Sequence, residues 1–148
     1  MDPEPDQSLT LNQCIEQIAQ KLRAADLHYG HGAFDCDSEA LWISSKQLNL
    51  SPTEALDCLD RTITSEQGQK ALQLAEERIH TRKPLAYILG EAWLMGIPFY
   101  CDERSIVPRS FIAELIVDGH LEPWLPPGAS VLDLCTGNGS LAILLALA

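Results

Sequence analysis

Val131-Leu132-Asp133-Leu134-Cys135-Thr136-Gly137-Asn138-Gly139-Ser140, running into the apolar stretch Leu141 to Ala148, decides how this chain is read. The short apolar run predicts a buried strand, the glycine pair a turn, and the stretch after it a helix. That is the opening unit of a nucleotide- or cofactor-binding α/β domain. One strand and one short helix cannot build a sheet or enclose a ligand. The expectation is therefore a fragment: mostly α, with the start of an α/β domain at its end.

Gly137 and Gly139 lack Cβ, so a ligand can come close to the backbone there. The amides at the following helix start can receive an anionic group. Asp133 is expected beside the loop, at the carboxyl edge of the sheet. A ligand with a carboxylate and a cationic centre suits this arrangement, and S-adenosylmethionine is one. A dinucleotide also fits, because Gly137-x-Gly139-x-x-Ala142 satisfies a loose G-x-G-x-x-A pattern. The acidic residue that would arbitrate, roughly 20 positions on, falls past Ala148. A plain tight turn between strand and helix is the remaining reading.

Upstream the texture is helical. Thr10-x-x-Gln13 offers a capping box, and Leu11, Ile15, Ile18, Leu22 and Ala25 recur at helical spacing. The Tyr29-Gly30-His31-Gly32 turn ends that helix, and a second begins near Asp37 with Leu41 and Leu48 inward. Ser51-Pro52-Thr53-Glu54 is a strong start signal for a short helix carrying Ala55, Leu56 and Leu59. Thr64-x-x-Gln67 opens another, with Ala71, Leu72, Ala75 and Ile79 on one face. Arg78, His80, Arg82 and Lys83 suit its C-terminal dipole, and Pro84 closes it. From Pro84 onward, Ala92 to Met95 and Ile97 to Cys101 flank Gly96 as a short hairpin. Ser105 to Arg109 is extended, and Ser110 caps a helix to about His120 with Ile112, Leu115 and Ile116 inward. The boundaries expected are a disordered arm over 1–7, a helical bundle over 8–83, a hairpin and extended linker over 84–109, and the start of the α/β domain over 110–148.

Composition narrows the class. The 148 residues carry a formal charge of −11, which disfavours direct nucleic-acid binding and suits solubility or a basic partner. The start, Met1-Asp-Pro-Glu-Pro-Asp6, has neither the basic nor the apolar part of a signal peptide. The longest apolar run falls short of the roughly 20 residues that cross a bilayer. Five cysteines without a Cys-x-x-Cys pair predict reduced thiols in a cytoplasmic protein. Cys135, at a buried strand end, is expected to be inert. His28 and His31 lack a third ligand, so no metal site is assigned. Trp42, Trp93 and Trp124 are spread over three segments and read as core or interface.

Several motifs together resemble a known family. Tyr29-Gly-His-Gly32, Arg82-Lys-Pro-Leu-Ala-Tyr-Ile88, Phe99-Tyr-x-Asp-Glu-Arg104, Val107-Pro-Arg-Ser110 with Glu114-Leu-Ile116, and Asp133-Leu-Cys-Thr-Gly-x-Gly139 occur in that order. They resemble the protein-(glutamine-N(5)) methyltransferases, most closely the branch that modifies the third protein of the large ribosomal subunit. Val107-Pro-Arg-Ser110 and Cys135 favour that branch over the release-factor branch. The resemblance implies a helical substrate-recognition domain, a hairpin linker, and a class I (Rossmann-like) methyltransferase domain using S-adenosylmethionine. It implies that Asp133, Thr136, Gly137 and Gly139 line the methionine end of the cofactor, and that Phe99 and Arg109 close over it. No catalytic residue is assigned, because the family's Asn-Pro-Pro-Tyr motif for the substrate amide is not in this sequence. Phe111 stands where the ribosomal branch usually has proline, which implies a shifted helix entry. The fragment alone is expected to be inactive. A stand-alone helical interaction module and an oxidoreductase built on the glycine loop are the rival readings.

Overall fold

In the computed structural model, which describes residues 8–30 and 32–148, the first helix starts on a reciprocal cap. The Thr10 hydroxyl accepts the Gln13 amide at 3.2 Å, and Gln13 Oε1 accepts the Thr10 amide at 2.9 Å. This satisfies amide groups that a helix start leaves unpaired, and α1 (Leu11–Ala24) follows. The same device opens α3 (Pro52–Leu56) through Ser51 and Glu54, and α4 (Ser65–Thr81) through Thr64 and Gln67. α2 (Cys36–Lys46) is capped by Asp35, which accepts the Ser38 amide at 2.8 Å and the Ser38 hydroxyl at 2.7 Å. Those bonds, the hydroxyl's first, hold the Asp35 carboxyl below its ordinary pKa.

α1 packs on α2 and α4, and α2 also meets α3. Leu11, Cys14, Ile18, Ala19 and Leu22 are the buried stripe of α1, so Cys14 and Ala19 take the places expected for Ile15 and Ala25. On α2 the expected inward residues, Leu41 and Leu48, are only half-buried, while Ala40, Trp42, Ile43, Ser44 and Ser45 are buried. Three neighbouring helices cover more than one face of α2, so two hydroxyls are buried as well. Ser45 Oγ donates to the Trp42 carbonyl at 3.0 Å. On α4, Ala71 and Ala75 are buried as expected, but Gly68 and Arg78 complete the stripe in place of Leu72 and Ile79.

A two-residue sheet ties the ends of this layer together. β1 (Leu9–Thr10) pairs antiparallel with β2 (Thr62–Ile63), Leu9 opposite Ile63. The sequence reading misses it, because two residues are too few to show a period. Arg78, read as a dipole cation, is instead buried with Glu39. Its Nε donates to Glu39 Oε1 and Oε2 at 3.1 and 3.0 Å, and its Nη2 to the His28 carbonyl at 2.8 Å. Burial pushes the Glu39 carboxyl above its ordinary pKa, against the opposing pull of Arg78. Arg82, at a left-handed C-cap of φ 57°, donates to the Asp26 and Ala25 carbonyls just past α1.

The chain divides into two units between Ile88 and Leu89. α5 (Leu85–Leu89) spans that point in the sequence and is absent from the extended reading of 84–109. In the second unit β3 (Glu91–Leu94) and β4 (Ile97–Tyr100) form the expected hairpin, with Glu91 opposite Tyr100. Met95 and Gly96 connect them, both with positive φ (52° and 76°), the signature of a tight primed turn. Ser110 caps α6 (Phe111–Val117), so Phe111 enters the helix at its first position. Ala113 and Ile116 face inward there, whereas Ile112 and Leu115 are exposed. A 3₁₀ turn over Glu122–Trp124 follows, with Trp124 exposed, and α7 (Ser140–Leu147) ends the unit. Phe99, Ala113, Ile116 and Leu144 form its buried cluster, flanked by Leu94, Ile97, Leu121, Leu141 and Leu145.

The predicted strand at Val131 to Leu134 is not formed. Among the described residues the two sheets are β1–β2 and β3–β4, and neither includes this segment. A strand exists through a ladder to a neighbour, and no described segment pairs with this one. Leu132 and Leu134 are 84% and 79% exposed, contrary to the buried reading. Of the expected strand, turn and helix, the turn and the helix are present and the strand is not. The arm at 1–7 and His31 lie outside the described residues. No helix among the described residues is long and apolar enough to cross a membrane.

Candidate cofactor site

The loop between the missing strand and α7 owes its shape to alternating backbone signs. Cys135, Gly137 and Gly139 have φ of 60°, 60° and 83°, whereas Thr136 and Asn138 are ordinary. Such alternation is the pattern of anion-cradling loops. Glycine is required most plainly at 139, where α7 begins directly from a left-handed residue. A Cβ on Gly137 would meet no heavy atom within 4 Å, and one on Gly139 only Ile143 Cδ1 at 3.9 Å. The space above Gly137 is open, as a close ligand approach requires, while Ile143 borders that above Gly139. Cys135, expected in a buried strand, is an exposed left-handed turn residue.

Internal bonds stiffen the loop. Thr136 Oγ1 donates to Asp133 Oδ2 at 2.8 Å, and the Gly139 amide to the Thr136 carbonyl at 2.9 Å. Asn138 reaches outward, donating from Nδ2 to the Tyr100 carbonyl at 3.0 Å. Loop and hairpin thus frame a hollow of about 510 Å³, lined by Phe99, Tyr100, Asp102, Arg104, Gly137 and Asn138 among others. Its wall carries a fixed charge pair. Arg104 donates to Asp102 from Nε, Nη2 and its own amide, and Tyr100 Oη donates at 2.9 Å. These bonds, Arg104's first, hold the Asp102 carboxyl well below the usual carboxylate range.

Of the six residues the sequence selects, Phe99 and Gly137 meet at this hollow, Phe99 with its ring also in the buried cluster. Thr136 and Gly139 belong to the same loop through their bonds, one step from the wall. Asp133 faces a second, more apolar hollow of about 410 Å³ beside α6 and α7, with Ile112, Ile116, Leu141 and Leu145. Arg109 is exposed, directly ahead of the Ser110 cap, and lines neither hollow. Asn138, Asp102 and Arg104 were not selected. An asparagine accepting the amide two residues on is a readable turn signal, but its reach to Tyr100 is a tertiary fact. No cluster of three metal-ligating side chains occurs among the described residues.

The chain is similar to the ribosomal protein uL3 glutamine methyltransferase of Bordetella pertussis, 42% identical over 94% of the chain and 47% of the relative. The protein of that name from Burkholderia pseudomallei is 40% identical over 100% and 49%, and that from Bradyrhizobium diazoefficiens 37% over 93% and 46%. The chain spans about half the length of the curated relatives it matches. The family described as PrmC N-terminal domain matches residues 13–90. With more than half of its length inside that match, the chain belongs to the PrmC N-terminal domain family.

Proposed function

We propose that this sequence is part of an S-adenosylmethionine-dependent enzyme that methylates a glutamine side-chain amide in ribosomal protein uL3. The observation that carries the reading is the reach of the likeness. Matches to uL3 glutamine methyltransferases cover 93% to 100% of the chain, through the hairpin and the glycine loop as well as the helical unit. The open space over Gly137 fits a cofactor that approaches backbone closely. In this reading Asp133, Thr136, Gly137 and Gly139 hold the methionine end, and Phe99 and Arg109 close over it. Residues 8–83 recognise the protein substrate, 84–109 link, and 110–148 begin the Rossmann-like domain. The enzyme works in the cytoplasm and binds no nucleic acid directly.

The cofactor supplies an electrophilic methyl group on a sulfonium. The amide nitrogen is a poor nucleophile, so the protein's contribution is orientation and polarisation. Bound at the loop, S-adenosylmethionine would supply its methyl to the amide nitrogen, which would lose a proton to solvent, with the thioether as the leaving group. Asp133 suits the cofactor's ammonium group, and the loop amides its carboxylate. Mass spectrometry of ribosomal protein uL3 from cells with and without the gene tests the proposal. Loss of one methyl group from a uL3 glutamine is the expected result. Loss from a release factor instead moves the substrate to the related branch, and unchanged methylation of both leaves the interaction-module and oxidoreductase readings.

A further inference from the structure

The glycine loop sits outside any strand, so no backbone ladder fixes its position. Its internal bonds, Thr136 to Asp133 and Gly139 to Thr136, set its shape and not its place. Asn138 ties it to β4. It stands between two positive-φ glycines, accepts the Ser140 amide on Oδ1 at 3.3 Å, and donates from Nδ2 to the Tyr100 carbonyl at 3.0 Å. One side chain therefore touches the start of α7 and the last residue of β4. Tyr100 is the last residue of β4 and stands opposite Glu91 in the hairpin, so the carbonyl that receives Asn138 belongs to a paired strand.

We infer that Asn138 is a positioning residue that latches the glycine loop to β4, setting the distance between the Gly137 and Gly139 amides and Phe99 across the hollow. The role rests on the cofactor reading above, in which those amides meet the ligand. Asn138 is suited to it because an amide side chain donates and accepts at once. Alanine does neither. Aspartate keeps the acceptor for Ser140 but can donate to the Tyr100 carbonyl only when protonated.

The test follows the loop amides by NMR in the 148-residue chain. Asn138→Ala should shift the Gly137 and Gly139 signals and speed hydrogen exchange at the Gly139 amide, which donates to the Thr136 carbonyl, about threefold to tenfold, the loss of one hydrogen bond, while Ala92 and Phe99 keep their protection. Asn138→Asp should resemble Asn138→Ala at neutral pH and return toward the native spectrum as pH falls through about 4. Asp102 and Arg104, the charged groups on the same wall, stay ionised through that window, because their mutual bonds hold the carboxyl far lower. The unsubstituted chain taken through the same series removes the contribution of the native carboxylates. Unmoved glycine amides in Asn138→Ala, or no return in Asn138→Asp, would overturn the latch. Calorimetry with S-adenosylmethionine and the full-length protein separates the two readings. An unsubstituted protein that binds none sinks the cofactor reading and leaves the latch to the NMR result. Binding equal in parent and Asn138→Ala removes the positioning role, and a threefold to tenfold weakening supports both.

Discussion

Among the described residues, the first unit leaves Phe34 and Leu56 as its large exposed apolar side chains, whereas the second exposes Phe111, Trp124, Val131, Leu132, Leu134 and Leu147 among others. The first unit closes on itself: its helices begin on side-chain caps, its stripes face one another, and its buried charge is paired. In the second unit local conformation is just as well defined, by the Met95-Gly96 turn, the Ser110 cap and the loop bonds, yet apolar surface remains in the open. Local structure and burial are thus separable. Caps and turns are satisfied within a few residues; apolar faces require partners from elsewhere.

The sharpest way to break the first unit is at its buried charge. Arg78→Ala leaves Glu39 buried without its partner and the His28 carbonyl without a donor. The expected loss is about 4 kcal/mol, read by urea unfolding of the helical signal. Replacing both partners, as in Arg78→Met with Glu39→Leu, should recover most of it. A single alanine variant as stable as the parent would mean the pair contributes nothing.

In the second unit the matching experiment is Phe99→Ala. It empties the centre of the cluster formed with Ala113, Ile116 and Leu144 and should cost about 3 kcal/mol. Hydrogen exchange should quicken along β3, β4 and α7 while the α1 amides keep their protection. Loss of protection in α1 would show that the units do not stand apart.

These variants also show what the sequence made legible. Thr10, Ser51, Thr64 and Ser110 are readable because a cap needs only its own neighbours in the chain. The hairpin and α7 are readable for the same reason. The Arg78–Glu39 pair joins residues 39 apart, and Asn138 reaches 38 residues back to Tyr100, so neither leaves a local pattern. The strand at Val131 fails for the opposite reason. Its apolar content is right, but hydrogen bonding to a neighbouring strand is what makes a strand, and none of the described segments supplies it. In the site, the glycines were legible from their steric freedom. That Asp133 faces a different hollow from Phe99 and Gly137 was not.

Smaller effects sharpen the contrast at the helix starts. Thr64→Ala should cost about 1 kcal/mol by removing the acceptor for the Gln67 amide. Acid should loosen the same kind of contact. The Asp35 and Glu54 carboxyls are held below their ordinary values of 3.8 and 4.5, by hydrogen bonds from Ser38 and Ser51 respectively. A depressed folded-state pKa gives stability that is present above the unfolded value and lost as pH falls through the folded one. Glu39 runs the other way: its raised pKa gives a contribution complete in acid and lost as pH rises through the folded value. Protection of the Ser38 and Ser51 amides, corrected for the intrinsic exchange rate, should therefore fall on acidification, and Asp35→Asn, which keeps the acceptor without the charge, should flatten the response at Ser38. A Ser38 amide equally protected at every pH in the native chain would contradict this.

The smallest effect should be a gain. Met95 holds φ 52° at the first position of a two-residue turn, where a side chain on Cβ crowds the following carbonyl. Asparagine tolerates that region and is favoured there beside glycine, as in the Asn-Gly turns of tight hairpins. Met95 is partly exposed, so little packing is lost with its side chain. Met95→Asn should stabilise the β3–β4 hairpin by about 0.5 kcal/mol, seen as slower exchange of the Leu94 and Ile97 amides. The first unit should not respond. Because Tyr100, which receives Asn138, ends the same hairpin, a firmer turn should also slow exchange at Gly139. Slower exchange in the strands without any change in the loop would show that the hairpin and the glycine loop are stabilised independently.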